Sequence, residues 1–139
     1  MDGRGGMSVG RRGDAEHRLQ RDCVLWFRLR HPRLALRLFA IPNGGRRDAV
    51  TGARLKAEGV VAGVADLFLA VPRGGCGGLF VEMKAAGGRL SAAQRAWSAD
   101  VAAGGDYRYR VCRSLDGFRA VSEAYLAGVE EGGDEAPGL

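Results

Sequence analysis

Two carboxylates and one lysine gather at the open end of a hairpin-like stretch, Asp66–Lys84. Two short apolar runs, 66–71 and 79–84, flank a break rich in proline and glycine, which predicts a β-hairpin with a long loop. Because side chains alternate across a strand, Asp66, Glu82 and Lys84 share one face. Converging carboxylates can hold a divalent cation, and a lysine beside them can stabilise negative charge on a substrate.

The opposite face of the predicted hairpin is entirely aliphatic, which predicts that it is buried. A pairing of Phe68 with Glu82 would put Asp66 opposite Lys84 and diagonal to Glu82, at about 7–8 Å. A slip by one residue would put the acids on opposite faces and bury charge, so the hydrophobic pattern argues for this register. The predicted buried residues are Leu67, Leu69, Val71, Leu79, Val81 and Met83.

A second interpretation of the same pattern is an ordinary edge hairpin whose charged end is solvated. The two acids and the lysine are the only charges on the two runs, and they lie at one end. This clustering favours a site, but the residues alone leave both interpretations open.

The remaining chain alternates helical and strand-like segments, which predicts an α/β sandwich with a mixed sheet. The basic start, 1–13, and the acidic tail, 128–139, are predicted to be disordered around one domain, 14–127. The predicted elements are a helix Asp14–Arg30 capped by Asp14, a strand Leu36–Ile41, a helix Asp48–Glu58, a helix from Ser91 to about Ala103, a strand Arg108–Arg113 and a helix capped by Asp116 that ends at Leu126.

Several polar positions in these elements have both a structural and a functional interpretation. Glu16 and Gln20 share a helix face, where Glu16 could simply complement the helix dipole. Gln94 follows Ser91 at the spacing of a capping box. The turn 42–45 could meet a phosphate through its backbone and through Arg46 or Arg47, or could be a plain tight turn.

The charge is strongly basic along most of the chain. The net charge is +5, and because four acids lie beyond residue 129 without a basic residue, residues 1–129 carry +9. Such a body suits a polyanion, since phosphate contacts release counterions, although an arginine-rich composition with solvated faces would give the same count.

Other kinds of chemistry are disfavoured by the sequence. Cys23, Cys76 and Cys112 have no zinc-ligand spacing, and their odd number without a signal peptide predicts a reducing cytoplasm. His17 and His31 lack a nucleophilic or metal-binding pattern, and no phosphate-binding glycine loop of the P-loop type is found. No apolar run approaches the roughly 20 residues of a membrane span.

An ordered set of motifs is similar to the VRR-NUC family of the PD-(D/E)XK nuclease superfamily, over residues 14–126. Ala65 stands where this family usually has proline. The matching residues are Glu16 with Gln20, Ile41–Gly45, Leu55–Gly59, Gly63–Leu67, Glu82–Lys84, Gly87–Ser91 and Gln94.

This resemblance implies a restriction-endonuclease-like core and a metal-dependent nuclease. It implies Mg²⁺, with Mn²⁺ as a substitute, held by Glu16, Asp66, Glu82 and the backbone carbonyl of Met83, with catalytic roles for Asp66, Glu82, Lys84 and Gln94. DNA contacts are expected from Asn43, Gly44, Arg46, Arg47, Lys56 and Arg89.

The expected activity is hydrolysis of phosphodiester bonds in DNA, selective for branched structures such as four-way junctions or flaps. The resemblance to compact family members implies a homodimer in the cytoplasm of a bacterial or phage-infected cell. Trp26 and Phe27 are adjacent on one helix, so one of them could lie in a dimer interface or both could be buried internally. Two other classes compete with the nuclease, a non-catalytic nucleic-acid-binding module and a basic structural protein.

Overall fold

The computed structural model describes residues 4–42 and 49–130, with side chains from residue 12 onward. Short 3₁₀ segments at Pro32–Arg37 and Ala103–Gly105 join the main elements. These elements are α1 (Arg4–Arg30), β1 (Leu38–Ala40), α2 (Ala49–Ala57), β2 (Leu67–Leu69), β3 (Leu79–Met83), α3 (Ala92–Ala102), β4 (Arg108–Cys112) and α4 (Leu115–Leu126).

The four strands form one mixed sheet in the order β1-β2-β3-β4. Strand β2 pairs antiparallel with both β1 and β3, whereas β3 and β4 are parallel. A parallel pair needs a long crossover, and α3 provides it. The predicted mixed sheet flanked by helices is confirmed.

The hairpin register differs by two residues from the predicted one. Phe68 pairs with Phe80, not with Glu82, and Leu67 pairs with Val81. Continued by one residue, this register puts Asp66 opposite Glu82 instead of Lys84. The predicted face is nevertheless correct, because a shift of two residues returns every side chain to the same side of the sheet.

The aliphatic face of the hairpin forms the main core, and all six of its predicted residues are at most 1% exposed. Helices α1 and α4 cover this face with Cys23, Phe27, Phe118 and Tyr125. The hydroxyl of Tyr125 donates to the carbonyl of Val71 at 2.6 Å, which ties α4 to the end of the hairpin strand.

A smaller core covers part of the other face of the sheet. Trp97 of α3 packs edge-on against Phe80, with ring centroids 4.9 Å apart, and also meets Tyr109 of β4. Helix α3 is thereby fixed beside the face that carries Asp66 and Glu82.

Phe27 is buried inside the domain and Trp26 is partly buried against the same core, which is nearer to the second of the two interpretations given above. Phe27 is completely buried, and Trp26 lies edge-on to Phe118 at 6.1 Å with the guanidinium of Arg119 over its ring. Neither side chain therefore gives evidence for a dimer interface.

Several predicted boundaries are wrong. Helix α1 begins at Arg4, so Asp14 lies within the helix and does not cap it. Ser114 caps α4 by accepting from the amide of Gly117 at 2.9 Å, and Asp116 lies in the first turn. Leu36 belongs to a 3₁₀ turn instead of β1, because the backbone straightens only after Arg37.

The described part of the predicted tail packs against β4. The carbonyl of Val129 accepts from Arg108 at 2.9 Å, and the carboxylate of Glu130 lies 3.3 Å from Arg110. The rest of the predicted tail, 131–139, and the turn at 43–48 lie outside the described residues.

Candidate metal and nucleic-acid site

Asp66 and Glu82 face each other where the hairpin opens. Asp66 immediately precedes β2, and its carbonyl accepts from the amide of Ile41 at 2.8 Å, which holds it beside β1. Its carboxylate accepts from the amide of Met83 at 2.7 Å. This side-chain contact joins β2 and β3 just beyond their last paired residues, and it fixes the Asp66 carboxylate beside Glu82.

Glu82 is buried although it is an acid, with 2% of its surface exposed. Burial raises its pKa from 4.5 to about 9, and the charge and hydrogen bond of Asp66 and the charge of Glu16 raise the pKa in the same direction. Lys84 opposes this shift. Asp66 and Glu16 are therefore close enough to Glu82 for their charges to act on it.

The pair of carboxylates needs a positive charge between them. Burial and the neighbouring carboxylates of Asp66 and Glu16 disfavour a negative charge on Glu82, so its protonated form is favoured when no cation is bound. The Oε1 atom of Glu82 is buried and accepts no hydrogen bond. A divalent cation could replace the proton and satisfy this oxygen, so the donor set fits a hard metal ion.

The acids do not form a ready-made metal cage. Within residues 4–42 and 49–130, no group of three or more histidine, cysteine or acidic side chains has the geometry of a metal centre. Asp66 and Glu16 each give one oxygen to a backbone amide, which leaves the second oxygen of each carboxylate for another partner.

Glu16 reaches the site from α1. Its Oε2 atom accepts from the amide of Ala85 at 3.2 Å, just after Lys84. A first-turn role at the helix dipole is ruled out, because α1 begins three turns earlier. The structure thus brings Glu16 to the end of β3, as the resemblance implied, although its role as a metal ligand stays a prediction.

Lys84 lies beside the acids with its ammonium 3.9 Å from Oε2 of Glu82. The side chain is only 12% exposed, so its surroundings hold it in place beside Glu82. At this distance the contact is a loose ion pair, which leaves the ammonium able to approach a phosphate.

Gln94 has both of the roles that the sequence left open. Its Oε1 atom accepts from the amide of Ser91 at 2.8 Å, which completes the capping box of α3. Its Nε2 atom donates to Oε2 of Glu82 at 3.2 Å. One amide group therefore begins the helix and also orients the buried acid.

Arg113 lies near the site and was missed by the sequence analysis. It donates to the carbonyls of Gly88 at 2.7 Å and Ala85 at 3.3 Å, and so fixes the connector 85–89 after Lys84. Gly88, which belongs to a matching motif, is closely packed, because a Cβ there would lie 3.2 Å from the Ala85 carbonyl. The role of Arg113 is not visible in sequence, since arginine-to-carbonyl contacts have no spacing rule.

The predicted DNA contacts are only partly described. Lys56 is exposed on α2 and Arg89 is exposed on the connector beside Lys84. Asn43, Gly44, Arg46 and Arg47 lie outside the described residues. The amide of Met83 bonds to Asp66, whereas the metal role of its carbonyl stays a prediction.

A buried glutamate paired with an aspartate, followed two residues later by a lysine at the end of a mixed sheet, is typical of a nuclease domain. The model of the VRR-NUC domain family matches residues 14–116, and the chain belongs to this family. A solved structure titled "VRR_NUC domain protein" has 24% identity and a TM-score of 0.69, covering 84% of this chain and 95% of that one. The curated proteins contain no match.

No helix of the described segments combines the length and the apolar character that crossing a bilayer would require.

Proposed function

We propose that this protein is a divalent-metal-dependent DNA endonuclease that hydrolyses phosphodiester bonds, with Mg²⁺ as its metal and Mn²⁺ as a substitute. The observation that carries the proposal is the buried Glu82, which lies beside Asp66 and keeps one oxygen without a donor. A stable fold gains nothing from such a pair, because replacing it with apolar residues would avoid the cost of burial. A cation site explains why both acids are there.

The metal would be held by Asp66 and Glu82, with the Met83 carbonyl and Glu16 as further oxygen donors. When bound, a divalent ion neutralises charge on the phosphate and activates water. Lys84 approaches from solvent beside Glu82 and would stabilise charge on the phosphate or orient the attacking water. Gln94 keeps the Glu82 carboxylate in place through its amide nitrogen.

DNA is the expected partner because residues 1–129 carry +9. Phosphate contacts from exposed cations such as Lys56 and Arg89 would hold the backbone near the acids without reading sequence. We extend the proposal to branched DNA and to a homodimer, since cutting two strands symmetrically needs two sites at a fixed separation.

Cleavage of labelled DNA in Mg²⁺, in Mn²⁺ and in excess chelator tests the proposal. Asp66→Asn, Glu82→Gln and Lys84→Ala should each lower cleavage by at least about 100-fold while DNA binding persists. Asp100→Asn, an exposed acid on α3, is the matched control and should cut as well as the unchanged protein. Activity in excess chelator, or full activity of Asp66→Asn, would contradict the proposal.

The alternative is a non-catalytic DNA-binding module that has kept the fold. It predicts no metal-dependent cleavage of any DNA structure, and salt-sensitive binding that is unchanged in Asp66→Asn. The buried Glu82 favours the nuclease, because an uncompensated acid near phosphate would weaken simple binding.

A further inference from the structure

A cleft of about 470 Å³ runs between α1 and the edge strand β1. Gln20, Val24 and Leu25 line it from the helix, and Phe39 and Ala40 line it from the strand. Gln20 is one helical turn from Glu16, which contacts the connector beside Lys84. One end of the cleft, at His17 and Gln20, therefore lies within about one helical turn of Glu16, and the cleft extends away from that end along α1.

Among the described residues, the charged groups that line the cleft are all of one sign. Arg21 and Arg28 line it together with His17, and none of the described lining residues is an acid. Arg21 lies 3.5 Å from Asp22, but both side chains are more than half exposed, and such a pair holds an arginine only weakly. Arg28 lies across the cleft, donating to the carbonyls of Ala35 and Leu38 at 3.4 Å.

Apolar and aromatic surface is exposed between these cations. Phe39 is 43% exposed and Leu25 is 57% exposed. The Phe39 ring is held edge-on against Phe68, with centroids 5.8 Å apart, so its orientation is fixed without burying it. An oriented aromatic ring among cations is the combination by which proteins bind unpaired nucleotides.

We infer that the α1–β1 cleft binds a single-stranded arm of the DNA substrate as it leaves the metal site. This inference rests on the proposed nuclease function and adds a substrate class to it. Bases in a duplex are stacked on each other and cannot cover Phe39, whereas unpaired bases can. A polyanion also fits the cationic lining, while a second copy of this chain would bring the same cations against it.

From His17 to Arg28 the lining of the cleft spans eleven residue steps of α1, about 16.5 Å at 1.5 Å per residue. This length accommodates several unpaired nucleotides. The cleft therefore favours substrates that carry a free single strand beside the cleavage point, such as flaps, over fully paired duplex.

Fluorescence anisotropy in excess chelator tests this inference without requiring cleavage, with labelled oligothymidine and a labelled blunt duplex as probes. Phe39→Leu keeps an apolar side chain but removes the ring, and should weaken oligothymidine binding about tenfold. Duplex binding should stay within about twofold. Leu36→Ala is the matched control, because Leu36 is 92% exposed and does not line the cleft.

A comparison of Arg21→Gln with Arg33→Gln tests how much the cleft cations contribute to strand binding. Arg33→Gln is the control, because it removes the same charge from the exposed surface outside the cleft. Arg21→Gln should weaken oligothymidine binding more than Arg33→Gln. If Phe39→Leu folds poorly, Leu25→Ala on α1 provides the same comparison from the other wall.

Unchanged oligothymidine binding by Phe39→Leu, or equal losses on both probes, would overturn the inference. Sedimentation in which Phe39→Leu converts a dimer to a monomer would also overturn it, because the cleft would then be an interface between two copies. Failure of the nuclease proposal can be distinguished from failure of this inference. If only the nuclease proposal fails, no metal-dependent cleavage is seen, but the protein still binds oligothymidine in excess chelator.

Discussion

The side-chain amide of Gln94 joins the start of α3 to the buried acid Glu82, with its oxygen on the Ser91 amide and its nitrogen 3.2 Å from the carboxylate. A capping residue normally has only one of these contacts. The position of the acid is therefore coupled to the stability of a helix end.

Substitutions at Ser91 and Gln94 should separate these two roles. Ser91→Ala removes a cap and should lower the free energy of unfolding by about 1 kcal/mol with little effect on cleavage. Gln94→Glu keeps an oxygen for the Ser91 amide but replaces the donor to Glu82 with a negative charge. It should cut at least tenfold more slowly, as cleavage rates and denaturant unfolding would show. Equal activities of the two variants would contradict a positioning role.

The raised pKa of Glu82 predicts how stability without metal depends on pH. The folded protein holds this proton up to about pH 9, whereas the unfolded chain releases it near 4.5. The folded state therefore binds more protons between these values, and the free energy of unfolding falls as pH rises through that range.

Glu82→Gln resembles the protonated acid and should lose this dependence. In excess chelator it should be more stable than the unchanged protein at pH 8 and about equally stable at pH 4, measured by urea unfolding. Added Mg²⁺ should stabilise the unchanged protein at pH 8 and leave Glu82→Gln almost unaffected. Parallel pH profiles of the two proteins would show that Glu82 is ionised in the metal-free fold.

Gly63 is predicted to be essential for seating α3. It has a φ of +90°, and a Cβ at this position would overlap the backbone of Ala93. Gly63→Ala should cost more than about 2 kcal/mol of stability and disturb the Gln94 contact. Gly52→Ala, inside α2 with no atom near the new methyl, should stabilise by about 0.5–1 kcal/mol. Thermal unfolding of both variants checks this difference.

The substrate and assembly predictions can be tested together. A homodimer should nick four-way junctions in symmetric pairs and should prefer them to linear duplex. Sedimentation equilibrium at micromolar concentration would reveal the dimer, and strand-specific labels would reveal the paired nicks. A monomer defeats the first claim and equal rates on both DNAs defeat the second, while the nuclease proposal survives either result.

Much of the hairpin could be predicted from sequence because alternation alone identifies the buried face. The register could not, since registers that differ by two residues bury the same side chains, and only the fold of the glycine-rich loop selects between them. The observed register places Asp66 opposite Glu82, whereas the predicted register placed it opposite Lys84. The residue types on the hairpin predicted that its three charged side chains share a site. The place of Glu16 in that site was predicted only from the family resemblance, because a contact with Ala85 across 69 residues has no local pattern.

The contact between Glu16 and the Ala85 amide also affects when the site forms during folding. The hairpin acids are close in sequence and can meet early, whereas closing a loop of 69 residues is slow and needs α1 to dock. Helix α1 packs against α4, the last helix of the described residues. A chain still emerging from the ribosome has already made Glu16 and the hairpin acids, but α1 lacks its contact with α4 until α4 is synthesised. Glu16 is therefore held firmly at the candidate metal site only after nearly the whole described domain has been made.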